Sequence, residues 1–312
     1  MNNEFVLFSG SRNRQLAEEI ALYLKVKLGK VELHKFADGE TYVNYDETVR
    51  GKDIYILQST CFPQNDNLME LLIMIDAAKR AAAQRITCVI PYYGYGKQDR
   101  KTNDREPITA KLVANLIQAA GADAVLTMDL HADQIQGFFD ILADFLYASG
   151  PMTKYFAQKG LKDLIMIAPD VGSTKRARKY AKILGTELAI IDKRRPRPNQ
   201  SEVVNLIGEV AGKTAVIVDD EINTGGTTVN AAQAAIKNGA KEVYVMASHG
   251  VFAGDALKRI DKSPIKEVIV TNSIPLAGKL SKKVKVISVA QLFGDAIRCM
   301  HENKSLSQIL KS

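Results

Sequence analysis

The chain has 312 residues, a formal net charge of +7 and 46% apolar content, with no Trp. That length allows about two domains. No apolar run is long enough to span a membrane, and Asn2, Asn3 and Glu4 do not open a signal peptide, so membrane and secreted classes are disfavoured and a cytoplasmic protein is expected. Cys61, Cys88 and Cys299 lack the spacing of a metal or redox site. Charge is uneven: residues 1–147 hold 16 basic and 20 acidic side chains, residues 148–312 hold 26 and 15. A basic half suits nucleic acid or small anionic phosphates. Its basic residues have no interleaved aromatics and no nucleic-acid module, which favours small phosphates.

In chain order, Ile54–Leu57 reads as a buried strand, Leu68–Ala83 as a helix and Ile86–Ile90 as a second strand. Ala124–Met128 is a strand followed by His131. Tyr147-Ala148-Ser149-Gly150-Pro151 breaks the pattern and marks a boundary between domains 1–147 and 148–312. Leu164–Ala168 is a strand followed by Asp170. Lys193-Arg194-Arg195-Pro196-Arg197-Pro198-Asn199-Gln200 is too proline-rich and charged for a regular element. Ala215–Val218, Val229–Lys237 and Val243–Ala247 repeat strand, helix, strand, so Lys52–Gly96 and Lys213–Gly254 read as diverged copies. Gln291–Leu310 reads as a terminal helix, broken near Asn303, that could pack back on the first domain. Strands alternating with Ala-rich helices through right-handed crossovers predict an α/β fold of two doubly wound, mainly parallel sheets.

The richest stretch follows Val218: Asp219-Asp220-Glu221-Ile222-Asn223-Thr224-Gly225-Gly226-Thr227-Thr228. A strand–loop–helix of this kind places a ligand at the carboxyl end of a parallel sheet. The glycines let backbone N–H groups approach a phosphate, and the helix N-terminus adds partial positive charge. Carboxylates repel a phosphate but accept hydrogen bonds from hydroxyls. The loop therefore suits a sugar phosphate. The first copy carries Gln58-Ser59-Thr60 at the corresponding place and lacks these features.

This stretch resembles the phosphoribosyl-binding loop of phosphoribosyltransferases. With Phe36-Ala37-Asp38-Gly39-Glu40, Asn67–Met74, Pro91–Arg100, Pro107–Lys111, Asp129-Leu130-His131, Gln134–Asp140 and Ile191–Pro196, nearly the whole chain resembles the ribose-phosphate pyrophosphokinase family. The resemblance implies two tandem phosphoribosyltransferase-like domains and the conversion of ATP and ribose 5-phosphate to AMP and 5-phosphoribosyl 1-diphosphate. It implies Mg²⁺ and a homo-oligomer, a hexamer, with no nucleic-acid or membrane partner. Lys193 and Arg195 would stabilise the moving charge, with His131 a catalytic, ATP and metal contact and Asp170 a second metal-linked position. Phe36, Asp38, Gly39, Glu40, Lys97, Gln98, Asp99 and Arg100 would bind ATP. Arg195, Asp219, Asp220, Asn223, Thr224, Gly225, Gly226, Thr227 and Thr228 would bind ribose 5-phosphate. His249 would be structural, and His34 and His301 have no supporting context.

The chain departs from that family's pattern at Asn223, where Asp is usual, at Lys97, where Arg is usual, and at Ser173, where Gly is usual and a side chain could crowd the backbone. Those changes admit a second reading, a catalytically weak regulatory paralogue that assembles with an active partner. A phosphoribosyltransferase would have no use for an intact first domain. Asn103 and Asp104, beside Arg105, stand where the resemblance implies a basic residue and a Ser, in the regulatory phosphate and ADP site of the family's phosphate-activated class. Ser305 and Ser307 still resemble its C-terminal part. Loss of a cation and gain of a carboxylate disfavour an anion there. Steady-state rates across an inorganic phosphate series should show little or no saturable activation; clear saturation would refute this.

Overall fold

The computed structural model describes residues 5–194, 203–276, 278, 281–307 and 309. Two compact units are present: Met1–Tyr147 with Ser273–Pro275 and Ser288–Ser312, and Ala148–Asn272 with Leu276–Ile287.

In the first unit the apolar runs become strands because a parallel sheet buries both faces. The elements are β1 (Phe5–Ser9), α1 (Arg14–Leu24), β2 (Val31–Lys35), β3 (Thr41–Tyr45), β4 (Asp53–Leu57), α2 (Gln64–Arg80), β5 (Arg85–Ile90), α3 (Thr109–Ala120), β6 (Ala124–Met128) and β7 (Leu142–Leu146). The five-stranded sheet is parallel, in the order β1-β4-β5-β6-β7. β2 and β3 form a separate antiparallel hairpin. Leu71, Met74 and Ile75 of α2 and Val113 and Ile117 of α3 cover Phe8, Ile54, Ile56 and Val125 on one face. Side-chain alternation sends Leu7, Tyr55 and Leu57 to the other.

The second unit contains α4 (Ser149–Ala157), β8 (Leu164–Ala168), α5 (Thr174–Leu184), β9 (Glu187–Arg194), β10 (Val203–Ile207), β11 (Thr214–Ile222), α6 (Gly226–Lys237), β12 (Glu242–Gly250), α7 (Ala256–Asp261), β13 (Ile265–Thr271) and β14 (Val284–Ile287). Its seven strands run β10-β9-β8-β11-β12-β13-β14, and only the β10–β9 pair is antiparallel. Three expectations change. Ser149-Gly150-Pro151, expected only to break the pattern, opens a helix, because a proline in the first turn has no intrahelical N–H to supply. Lys193 and Arg194 belong to β9, where Val204 and Val203 pair with them, while 195–202, including Arg195, lie outside the described residues. The strand expected to end at Val218 continues to Ile222, because β12 supplies backbone partners that far.

After β14 the chain returns to the first unit as α8 (Ala290–His301). Its stripe of Phe293, Ala296, Ile297 and Met300 is buried, and α8 packs on α1. Asn303, in the left-handed region at φ 51°, ends it. The end of α8 is fastened polarly. Arg85 Nε donates to Asp53 Oδ1 at 2.8 Å, Arg85 Nη2 reaches the other carboxylate oxygen, and Nη2 also donates to the Met300 carbonyl at 3.1 Å. His301 Nδ1 lies 2.9 Å from Asp53 Oδ2, and the Tyr55 hydroxyl donates to the same oxygen at 3.2 Å. His301 thus has a context that its isolated place in the sequence hid. Asp53→Ala strands a half-buried guanidinium and should lower stability by about 3 kcal/mol in urea unfolding. His301→Ala, which removes one hydrogen bond, should cost about 1 kcal/mol.

Candidate active site

From β8 the chain crosses to β9 on one side, and from β11 it crosses to β12 on the other. Such a reversal opens a crevice at the strands' carboxyl ends. β8 pairs with β11 only as far as Ile167↔Ile217, so Asp219 to Ile222 overhang with β12 alone as neighbour. Asp219 and Asp220 ride on that overhang, and Asp220 is buried. Asp170, just beyond β8, joins them. Burial, then the charges of Asp220 and Asp170, push the Asp219 carboxyl well above the usual carboxylate range.

Ser173 lies between Asp170 and Asp219. Its amide donates to Asp170 Oδ1 at 2.9 Å, and its hydroxyl is 3.0 Å from Asp170 Oδ1 and 3.2 Å from Asp219 Oδ1. Ser173 has a right-handed helical backbone, at φ −82° and ψ −2°, so the position does not demand a glycine for its conformation. The neighbouring Thr174 hydroxyl is buried without a hydrogen-bond partner, at the first residue of α5.

Beyond β11 the chain turns through Asn223 and Thr224 to Gly225, at φ 76° and ψ −1°. A side chain there would be strained, which explains the glycine. The turn is braced from outside: Ala253 N donates to Asn223 O at 3.0 Å, and Phe252 N to Ile222 O at 2.9 Å. Arg259 Nη1 donates to Thr224 O at 3.4 Å. No side chain caps α6, so its first N–H groups suit an anion. Thr224 and Thr227 are exposed beside Gly226, and Thr228 is buried.

The first unit presents the other singled-out residues. Phe36 N donates to Glu40 O at 2.8 Å and Gly39 N to Phe36 O at 2.9 Å, closing the hairpin turn that carries Asp38. Phe36 is half-exposed, edge-on to His34 and Tyr42 at 5.6 Å each, and stacking on a base is open to it. In Pro91–Arg100, Gly94 is required because a Cβ would come within 2.2 Å of the Thr60 carbonyl. Lys97 and Arg100 are exposed, but Asp99 is buried and accepts a bond from Gln134. The Gln98 carbonyl accepts from Ala110 N at 3.1 Å and its side chain from Thr109, which fastens the start of α3. His131 is exposed just after Asp129.

Before α1 of the first unit, Ser11 N donates to Glu70 Oε1 at 2.7 Å and Arg12 N to Gln58 Oε1 at 3.0 Å. Gln58 Nε2 donates in turn to Glu70 Oε1 at 2.7 Å. The amides before α1 are thus occupied by the protein's own side chains. Neither Glu70 nor the bridging role of Ser173 stood out in the sequence, since both depend on partners 46 to 59 residues away.

A family model described as the N-terminal domain of ribose phosphate pyrophosphokinase matches residues 5–121, and one described as the phosphoribosyl synthetase-associated domain matches 192–311. A ribose-phosphate pyrophosphokinase of Fusobacterium nucleatum is 52% identical over 310 residues, 98% of each chain. That of Bacillus cereus is 54% identical over 308 residues, 98% of this chain and 97% of its own. The chain belongs to the ribose-phosphate pyrophosphokinase family. A crystal structure of phosphoribosylpyrophosphate synthetase from Mycobacterium smegmatis superposes with a TM-score of 0.91 at 42% identity, covering 96% of this chain and all of that one.

In this member of the ribose-phosphate pyrophosphokinase family, residues 102–106 form a loop closed on Glu106. Glu106 accepts from Thr102 N (2.9 Å) and Oγ1 (2.7 Å) and from Asn103 N (3.0 Å) and Nδ2 (2.6 Å). Those donors, Asn103 first, pull its carboxyl down to about 2. Asp104 and Arg105 are exposed beside it, with Arg105 at φ 70°. Ser305 Oγ accepts from Ser307 N at 3.1 Å, after α8.

Two pH effects follow. A depressed carboxyl stabilises its loop above the ordinary carboxylate value and loses that contribution as pH falls through about 2. The Thr102 and Asn103 amide resonances should therefore stay dispersed at neutral pH and collapse only in strong acid. Asp219 is the reverse case: a raised carboxyl favours folding at low pH and loses that contribution as pH rises through its folded value. Asp219→Asn should stabilise the ligand-free chain in urea at about pH 7 and make little difference at about pH 4; equal effects at both would contradict the assignment.

Proposed function

We propose that the chain transfers the diphosphoryl group of ATP to the anomeric hydroxyl of ribose 5-phosphate, giving AMP and 5-phosphoribosyl 1-diphosphate. The observation that carries this is the pairing of Asp219 and Asp220 with the uncapped start of α6, acceptors for hydroxyls beside donors for a phosphate. The sugar's 5-phosphate lies on the N–H groups of Gly225 to Thr228, with the Thr224 and Thr227 hydroxyls beside it, and Asp219 and Asp220 accept from the ring hydroxyls. Asn223 keeps one acceptor oxygen where the family's pattern has a carboxylate.

Phe36 stacks on adenine, Asp38 and Glu40 accept from its amino group, and Lys97 and Arg100 meet the phosphates, with Gln98 and Asp99 shaping their loop. The anomeric oxygen attacks the β-phosphorus while the bond from that phosphorus to the α–β bridging oxygen breaks, releasing AMP, and the hydroxyl's proton leaves to solvent. Positioning and charge neutralisation dominate such transfers, and Lys193 and Arg195 supply cations to the moving group.

Mg²⁺ fits the donor set. Asp170, Asp219 and Asp220 are hard oxygen donors whose crowding a cation relieves. Among the described residues no cluster of three or more ligands is preformed, so substrate oxygens and water would complete the shell, as Mg²⁺ commonly requires. The family resemblance links His131 and Asp170 to Mg²⁺ as two separate positions. When bound, Mg²⁺ supplies charge neutralisation at the diphosphate. A cytoplasmic homo-oligomer completes the reading, supported by the family resemblance.

The test is AMP and phosphoribosyl diphosphate production from ATP, ribose 5-phosphate and Mg²⁺. Equal yields of both are expected, reduced about 10²–10³-fold in Lys193→Ala. Asn223→Asp discriminates the weak-paralogue reading: a change under about threefold keeps the enzyme reading, whereas a gain of about 10² or more marks a lost base.

A further inference from the structure

Ser173 occupies the N-cap position of α5, where a serine ordinarily turns its hydroxyl onto its own helix. Here it makes no cap hydrogen bond. Its hydroxyl lies instead 3.0 Å from Asp170 Oδ1 and 3.2 Å from Asp219 Oδ1, while its amide holds Asp170 Oδ1 at 2.9 Å. Ser173 is 9% exposed, and Asp170 and Asp219 are half-buried. Asp170 belongs to the loop after β8. Asp219 belongs to β11, whose pairing with β8 has already ended. At this depth no backbone hydrogen bond ties β8 to β11, and the Ser173 hydroxyl takes over where the ladder stops.

We propose that Ser173 is a positioning residue that clips the Asp170 loop to Asp219 and so sets the geometry in which the β11 acids receive the sugar hydroxyls of ribose 5-phosphate. The inference rests on the proposed sugar-phosphate reading and deepens it. One hydroxyl carries one proton and two lone pairs, so Ser173 donates to one carboxyl and accepts from, or merely abuts, the other. A methyl at this position fills the space without the bridge. Threonine keeps the hydroxyl and adds a methyl group. Because the hydroxyl caps nothing, its removal should leave α5 intact.

The experiment compares wild type, Ser173→Ala and Ser173→Thr by calorimetric binding of ribose 5-phosphate without ATP and by steady-state kinetics. Ser173→Ala should weaken ribose 5-phosphate binding and raise its KM about fivefold, the equivalent of one ordinary hydrogen bond, with kcat changed less than twofold. Ser173→Thr should recover most of the affinity, and melting temperatures should stay together. Ser173→Ala binding as tightly as wild type would overturn the clip, as would equal losses in Ala and Thr variants or a loss confined to kcat. Wild type that binds no ribose 5-phosphate would instead overturn the sugar-phosphate reading, and the clip with it.

Discussion

Like charges held together in a place water reaches poorly are the constraint around which the second unit is arranged. Asp219, Asp220 and Asp170 converge at the carboxyl ends of β8 and β11, where burial and mutual repulsion hold the Asp219 carboxyl far above its ordinary range. Such crowding weakens the fold, and it persists because the surrounding elements over-determine it. β12 backs the overhanging residues, Ser173 bridges two of the carboxyls, and α7 with the loop before it braces the glycine turn through Arg259 and Ala253. A site built this way is complementary to hydroxyl donors and cations before either arrives.

The two units show what that arrangement requires. Both use strand, helix, strand with parallel pairing: β4, α2 and β5 in one, β11, α6 and β12 in the other. The second sheet reverses direction between β8 and β11 and opens a crevice. In the first, β1 is an edge strand and the order runs one way to β7. The place before α1 is not open either, because the Glu70 carboxylate and the Gln58 amide already receive its N–H groups. The first unit also carries a hairpin with Phe36 edge-on to His34 and Tyr42.

Where pattern and chemistry were both local, the sequence was readable. Apolar runs marked the parallel strands and the break near Asn303, while α6 begins at Gly226, three residues before the expected Val229, and α8 ends at His301. Misreadings came where a distant partner changed a local preference. Proline at 151 looked like a break, yet it falls in a first turn that tolerates it. Lys193 and Arg194 looked like loop, yet backbone pairing with β10 makes them strand. Ser173 stood out only as a change of residue type, and its contacts with two carboxylates came to light in the fold.

The sequence by itself determined the fold class, because strand and helix periodicities and turn glycines are local properties, and its resemblance to a known family pointed to the family and the kinds of group in the site. Only the tertiary structure decided which acids are crowded, which serine joins them, which amides are already occupied and what His301 is for. Those depend on hydrogen bonds that link residues tens to hundreds of positions apart, such as Ser173 to Asp219 and His301 to Asp53. No local pattern encodes such a meeting; the packing of sheets and helices brings it about.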